Sequence, residues 1–334
     1  MAPKSTASDR VTKPQMKLID SYLDTPPTRP LYHYTDAAGL IGIMRTKRIW
    51  ASSIQHLNDT QEFAHAIGLI EEELNSRGRY YYDYDPASPR WALKEEAREW
   101  FRRLDETLRN EISGLKDTTL YVASFSEHKD VLSQWRGYCR DGNGYSIGFM
   151  PSVLTEPAKA GFRLVKCVYD PKEQKGLCNA LIDSYFEISQ RPPSSKALLR
   201  SMQKLTWGTK FSILAAAMKH ESFREESEWR LVCAPERDHA VHFRSGRFGI
   251  VPYLEVPLSS ENQKVPVAEL VVGPTADRRA SLLGAEAVMG DLARRQLGQR
   301  LRLDLPRSRQ QPLRMAVPNE RQYIITMSTS PYRN

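Results

Sequence analysis

Glu226, Glu228 and Arg230 alternate in the run Glu226-Ser-Glu-Trp-Arg230, and alternate side chains of an extended strand share one face. Ser124 and Ser126 share a face in the same way, with Phe125 turned to the other side. His33 stands between two tyrosines in Leu31-Tyr-His-Tyr-Thr35. Three separated segments therefore each present polar groups from one face of a strand. A carboxylate such as Glu228 can stabilise positive charge as it develops and can hold a hydroxyl. A neutral histidine can donate to hydroxyls or accept from them. Trp135 and Tyr138 are either core aromatics or a surface on which a flat ring stacks. Ordinary structural roles fit the same residues: an ion pair for Glu228 and Arg230, a hydrogen-bonded core position for His33, and helix capping for Asn58, Asp59 and Glu62.

Positioning these groups requires strands, and the pattern supplies them. Leu31–Thr35 is a short β-prone run, and Asp36 behind it caps a helix whose apolar face uses Leu40, Ile41, Ile43 and Met44. Asn58 or Asp59 starts a second helix, and Trp91 to Leu115 carries helical periodicity through Trp100, Phe101, Leu104, Leu108 and Ile112. Strands are expected at 119–125, at 145–149 after the turn Asp141-Gly-Asn-Gly144, and at 162–169. Helices are expected over about 172–190 and 195–220, divided by Pro192-Pro193. Short strands then follow near 229–233, 240–244, 249–256 and 268–272, a helix over about 277–297, and a last strand at 321–326. The first 29 residues are polar and end in Thr25-Pro-Pro-Thr-Arg-Pro30, which predicts a disordered or extended tail. Residues 30–334 then form a single α+β domain with helical insertions near 60–115 and 172–220.

The chain has 334 residues and a net charge of +8. From Ala276 to Asn334 there are eleven arginines, no lysine and five acids, a surplus of six. A basic C-terminal third points either to a polyanionic partner or to a solvated surface. No stretch approaches the ~18 apolar residues of a membrane helix, and the first 30 residues lack the apolar centre of a signal peptide. The four cysteines form no C-x-x-C pair and the histidines are scattered, so neither a disulfide scaffold nor a metal site is expected. A cytoplasmic protein is the expectation.

Several motifs together resemble a bacterial family known as domain of unknown function 2971. They are Leu31-Tyr-His-Tyr-Thr35 through Trp50, Leu57-Asn-Asp59 with Glu62, Ser124-Phe-Ser126 with Leu132-Ser-Gln-Trp-Arg136 and Tyr138, and Glu226-Ser-Glu-Trp-Arg230. Val272-Gly-Pro-Thr275 and Ser330-Pro-Tyr-Arg333 fit it as well, so the resemblance runs from about residue 31 to the C-terminus.

A more distant resemblance is to ADP-ribosyltransferases. Leu31–Thr35, then Gly39-Leu-Ile-Gly-Ile-Met44 and Ile49-Trp50, look like the first strand and helix of that fold. Ser124-Phe125-Ser126 looks like the Ser-Thr-Ser strand of its toxin branch, and Glu226-Ser227-Glu228 like that branch's Glu-x-Glu element, in the same order along the chain. The resemblance implies a split β-sheet core with helical insertions and NAD as substrate, without a metal. The nicotinamide–ribose bond would break through an oxocarbenium-like transition state, as in glycoside hydrolysis, in a transferase or an NAD glycohydrolase. A toxin, effector or phage-defence setting would fit. Glu228 would be the catalytic carboxylate, Glu226 would help select a protein or nucleic-acid acceptor, and His33 would hold the ribose hydroxyls. Tyr34, Thr35, Ser124, Ser126, Trp135, Arg136, Tyr138 and Arg230 would line the NAD site. That reading requires His33, Ser124 or Ser126, and Glu228 to converge on one pocket. The alternative is a nucleic-acid-binding or interaction module with a basic C-terminal region and no catalysis.

Overall fold

A computed structural model describes residues 12–56, 60–82, 91–116, 119–138, 144–154, 156–190, 197–235, 239–246, 249–259, 267–290 and 324–330. In chain order these form helix α1 (Thr12–Leu23), strand β1 (Leu31–Asp36), helix α2 (Ala37–Thr46), strand β2 (Arg48–Ser53), and helices α3 (Thr60–Tyr82) and α4 (Trp91–Lys116). Next come β3 (Tyr121–Ser126), α5 (Leu132–Tyr138), β4 (Gly144–Phe149), β5 (Arg163–Lys166), α6 (Pro171–Gln190) and α7 (Ala197–Ala215). The remaining strands are β6 (Glu228–Cys233), β7 (His242–Gly246), β8 (Gly249–Pro257), β9 (Val267–Val272) and β10 (Ile324–Met327), with a helix α8 over 278–290.

The result is a mixed α/β fold around a large mixed sheet. Its strand order is β10-β9-β4-β1-β3-β2-β8-β7, and β6 joins β3 to β5 off that path. β9 and β10 are parallel, and the other pairs are antiparallel. β3 is the hub. Along one edge it pairs with β6 from Tyr121 to Ser126. Along the other it meets β1 only at Ser126, opposite Tyr32, and β2 only at Val122 and Tyr121, opposite Ser52 and Ser53. β1 and β2 thus part from each other with Ser124 at the opening.

The two faces of the sheet are covered differently. On one, Leu31, Phe125, Ile147, Phe149, Trp229 and Leu231 pack under α2, α8 and the segment around Val153 and Phe162. Asp36 starts α2 as expected, accepting from the Gly39 backbone N–H at 2.7 Å. Gly39 is required there, because a Cβ would come within 1.9 Å of Thr35 Oγ1. On the other face, Val122, Val165 and Val232 meet α3, α4, α6 and α7 in a second apolar cluster that includes Phe101, Trp207 and Phe211. Both expected helical insertions therefore share one layer on one side of the sheet.

The expectation of a disordered or extended tail over 1–29 is corrected for residues 12–23, which form α1. Ile19 and Leu23 are buried and Met16 packs beside them, a stripe at i, i+3 and i+7 that docks on the helical layer. Asp20 pairs with Lys210, and the Tyr22 hydroxyl donates to the Lys166 carbonyl at 2.6 Å. Residues 1–11 lie outside the described residues. So do 321–323 of the last expected strand, residues 291–297 of the expected final helix, and the arginines from Arg294 to Arg321.

Candidate functional site

The register of β3 on β6 sets Ser124 opposite Arg230 and Ser126 opposite Glu228, so these four side chains share the face that carries the helical layer. Both oxygens of Glu228 are occupied there. Arg230 Nε donates to Oε1 at 2.8 Å, Arg230 Nη2 to Oε2 at 3.0 Å, and Lys219 Nζ to Oε2 at 2.7 Å. Lys219 Nζ also donates to Glu226 Oε2 at 2.6 Å, and Arg230 Nη1 to the Ala216 carbonyl at 2.6 Å. Two carboxylates and two cations balance, with Glu228 4% exposed, Lys219 1% and Arg230 0%. Burial alone would raise the Glu228 pKa. Arg230 and Lys219 outweigh it and hold the group down at about 2.

The approach to this knot is also tightly tied. Ser227 takes a left-handed conformation (φ 42°) between a short 3-10 turn and β6, and the Glu228 N–H donates to the Tyr169 hydroxyl at 2.9 Å. Ser126 Oγ donates to the Glu226 carbonyl at 2.7 Å and accepts from the His128 N–H at 3.0 Å. Its hydroxyl closes a turn.

His33 does not join them. Tyr32 lies opposite Ser126, so Tyr32 shares the face of Glu228 and His33 points to the other. The imidazole packs 5.7 Å from the Phe125 ring on that second face. Its Nδ1 lies 2.9 Å from the Ser124 carbonyl oxygen, at the opening between β1 and β2. Desolvation lowers its pKa and the bond to Ser124 only partly offsets this, so the ring is neutral. The expected convergence of His33 and Glu228 on one pocket is therefore corrected. The cause is register, since a shift of one residue between β1 and β3 exchanges faces.

Tyr34 and Trp135 do come together, edge to face with centroids 4.6 Å apart. Both are buried and their polar atoms are engaged. The Tyr34 hydroxyl donates to the His128 carbonyl at 2.8 Å and accepts from the Val131 N–H at 3.0 Å. Trp135 Nε1 donates to Asp130 Oδ1 at 2.7 Å. Gly273 lies against the indole, where a Cβ would approach it to 2.9 Å. Thr35 rests on the start of α2, while Arg136 and Tyr138 are exposed on α5. Asn58 and Asp59 lie outside the described residues, and of Glu62 only its place in α3 is described. Among the described residues no group of three or more His, Cys, Asp or Glu is placed to hold a metal ion, and no helix is long and apolar enough to cross a membrane.

Two groupings carry residues that the sequence pattern did not assign. Asp130 receives the Trp135 indole together with Ser328 Oγ (2.5 Å), the Thr329 N–H (2.7 Å), Thr329 Oγ1 (2.8 Å) and Ser330 Oγ (3.0 Å). These donors overcome the effect of burial and hold its carboxyl well below the usual range. The second grouping lies on β2, β8 and β7, where Trp50, Tyr253, His242, Ser52 and Arg244 share a face. Trp50 is 47% exposed and sits 4.6 Å from Tyr253, on which His242 stacks at 5.5 Å. The only local signal was Trp50 itself, a large aromatic in a strand otherwise flanked by Arg48 and Ser52.

No curated protein and no solved structure matches the chain. A family model described as a protein of unknown function, DUF2971, matches residues 134–231. Those residues run from α5 through β6, so the family resemblance rests on the stretch that carries Trp135, Lys219, Glu226, Glu228 and Arg230.

Proposed function

We propose that this protein acts as a nucleic-acid-binding module. The observation that supports this over NAD cleavage is the seal on Glu228. A carboxylate that stabilises an oxocarbenium-like transition state must face the sugar, whereas both oxygens of Glu228 are spent on Arg230 and Lys219. A chain of net charge +8 has its natural partner in a polyanion. The test is retention on immobilised single- and double-stranded DNA across a salt gradient, beside an assay for nicotinamide release from NAD. Salt-sensitive retention without nicotinamide release is the expected result. Nicotinamide release by the parent chain, or retention that does not respond to salt, would overturn it.

A second reading has one observation in its favour. The parting of β1 and β2 at Ser124 is the kind of opening a split, ADP-ribosyltransferase-like sheet would have, and His33 stands in it as a neutral side chain. Under this reading NAD binds at the opening and His33 Nε2 accepts from a ribose hydroxyl. The chemistry would need a carboxylate other than Glu228 as it stands. Saturable stabilisation by NAD that His33→Ala removes would support this reading.

A further inference from the structure

We infer that the exposed stretch of β2, β8 and β7, on the side of the sheet that also carries the helical layer, is the surface on which this protein binds a single-stranded nucleic acid. The inference rests on the nucleic-acid reading above and assigns it a place. Trp50 and His242 flank Tyr253, which is 8% exposed and forms the floor between them. The strand register makes the face continuous: Ser52, Tyr253 and His242 lie in one row, and Arg244 follows His242 on the same side of β7. An aromatic row of this kind offers flat rings to bases of any sequence.

The cations are placed to complement a phosphate backbone. Arg244 Nη2 donates to Ser52 Oγ at 3.0 Å, which fixes the guanidinium beside the aromatic row. Arg244 is half-exposed, and no carboxylate pairs with it among the described residues. The solvent-facing part of such a guanidinium can donate to a phosphate oxygen. Arg48 lies on the same face at the far side of Trp50, 3.6 Å from Glu255 and 43% exposed. Glu255 offsets Arg48, so Arg244 supplies the net positive charge. Duplex DNA buries its base faces, so stacking on Trp50 selects a single strand.

The experiment is fluorescence anisotropy of a labelled 12-nucleotide single strand, titrated with the full chain at several salt concentrations. Trp50→Ala should weaken binding by roughly 5- to 150-fold, the range of one lost base–aromatic stack, while Trp50→Phe keeps a ring and most of the affinity. Arg244→Gln should weaken binding and lower the salt slope by about one counterion. Leu205→Ala, on the exposed side of α7, should bind as the parent does. Melting temperatures of all four variants should match the parent, since Trp50 and Leu205 are exposed and Arg244 is half-exposed. If the parent binds the strand and Trp50→Ala and Arg244→Gln bind equally well, the strand lies elsewhere and this inference fails while the nucleic-acid reading stands. If a matched duplex binds as tightly as the single strand, stacking is not the basis and the inference again fails. If no nucleic acid binds, both fall together.

Discussion

His33 Nδ1 lies 2.9 Å from the Ser124 carbonyl oxygen, at the place where β1 and β2 part from β3. A carbonyl can only accept, so Nδ1 carries the proton and Nε2 keeps its lone pair. The side chain thereby replaces a ladder bond that the parted strands no longer make. His33→Ala leaves that carbonyl without its partner and should cost about 1–3 kcal/mol, whereas His33→Asn, which retains a donor, should cost much less. The sign of the pH effect follows from the lowered pKa. The unfolded chain takes up a proton on His33 below 6.5 and the folded chain resists it, so stability falls as pH drops through and below that value. Urea unfolding at about pH 7.5 and 5.5 checks this, because His33→Asn should flatten the difference. An unchanged difference in that variant would assign the titration to another group.

Glu228 is a structural ion. Glu228→Gln removes one negative charge from a balanced buried group and leaves Lys219 and Arg230 in excess, a loss of about 3–5 kcal/mol. Lys219→Met combined with Glu228→Gln restores neutrality and should recover part of that loss, a coupling that a double-mutant cycle measures. The folded-state pKa is depressed from 4.5 to about 2, so the stability it contributes is complete above 4.5 and drains away as pH falls toward 2. Denaturation curves in that interval should be flatter for the Gln variant.

The helix α1 belongs to the folded unit. Ile19 is 0% exposed within the helical layer, so Ile19→Ala should cost about 2–5 kcal/mol. Removing residues 2–23 should lower the melting temperature by several degrees or more. A truncated chain that melts with the parent would show that the contact contributes nothing to stability.

Period-two alternation made part of the site legible in advance: Ser124 with Ser126, and Glu228 with Arg230, share a face as the spacing required. Which face His33 takes depends on the pairing of Tyr32 with Ser126, a choice between segments far apart in sequence that local spacing does not encode. Lys219 was invisible for the same reason, since it reaches Glu228 from the turn after α7, not from β6. The Trp50–Tyr253 contact needed β2 and β8 to be neighbours. The stripe of Met16, Ile19 and Leu23 was present, but Lys13 before it and Lys17 and Asp20 between its members diluted it to the look of a polar tail. Asp36 before α2, by contrast, was readable because a cap is a purely local interaction.

Asp130 fastens the C-terminal strand to the loop after β3. Its two oxygens collect five donors, four of them from Ser328, Thr329 and Ser330 just beyond β10. The remaining donor, Trp135, packs on Tyr34, so the fastening is continuous with the buried aromatic pair. An asparagine has one accepting oxygen in place of two and brings donors that face other donors. Asp130→Asn should therefore release residues 328–330 while leaving the rest of the sheet paired, because β10 still holds to β9 through its own ladder. Backbone hydrogen exchange should rise at Thr329 and Ser330, whose N–H groups bond to Asp130 and to Ser328 Oγ. Asp130 has a depressed pKa, so its contribution is present at neutral pH and is lost as acid protonates it below the usual carboxylate range. The parent should then reproduce the exchange pattern of the Asn variant at sufficiently low pH. Equal protection of residues 328–330 in the two proteins at neutral pH would mean that packing, and not the Asp130 carboxylate, holds this segment in place.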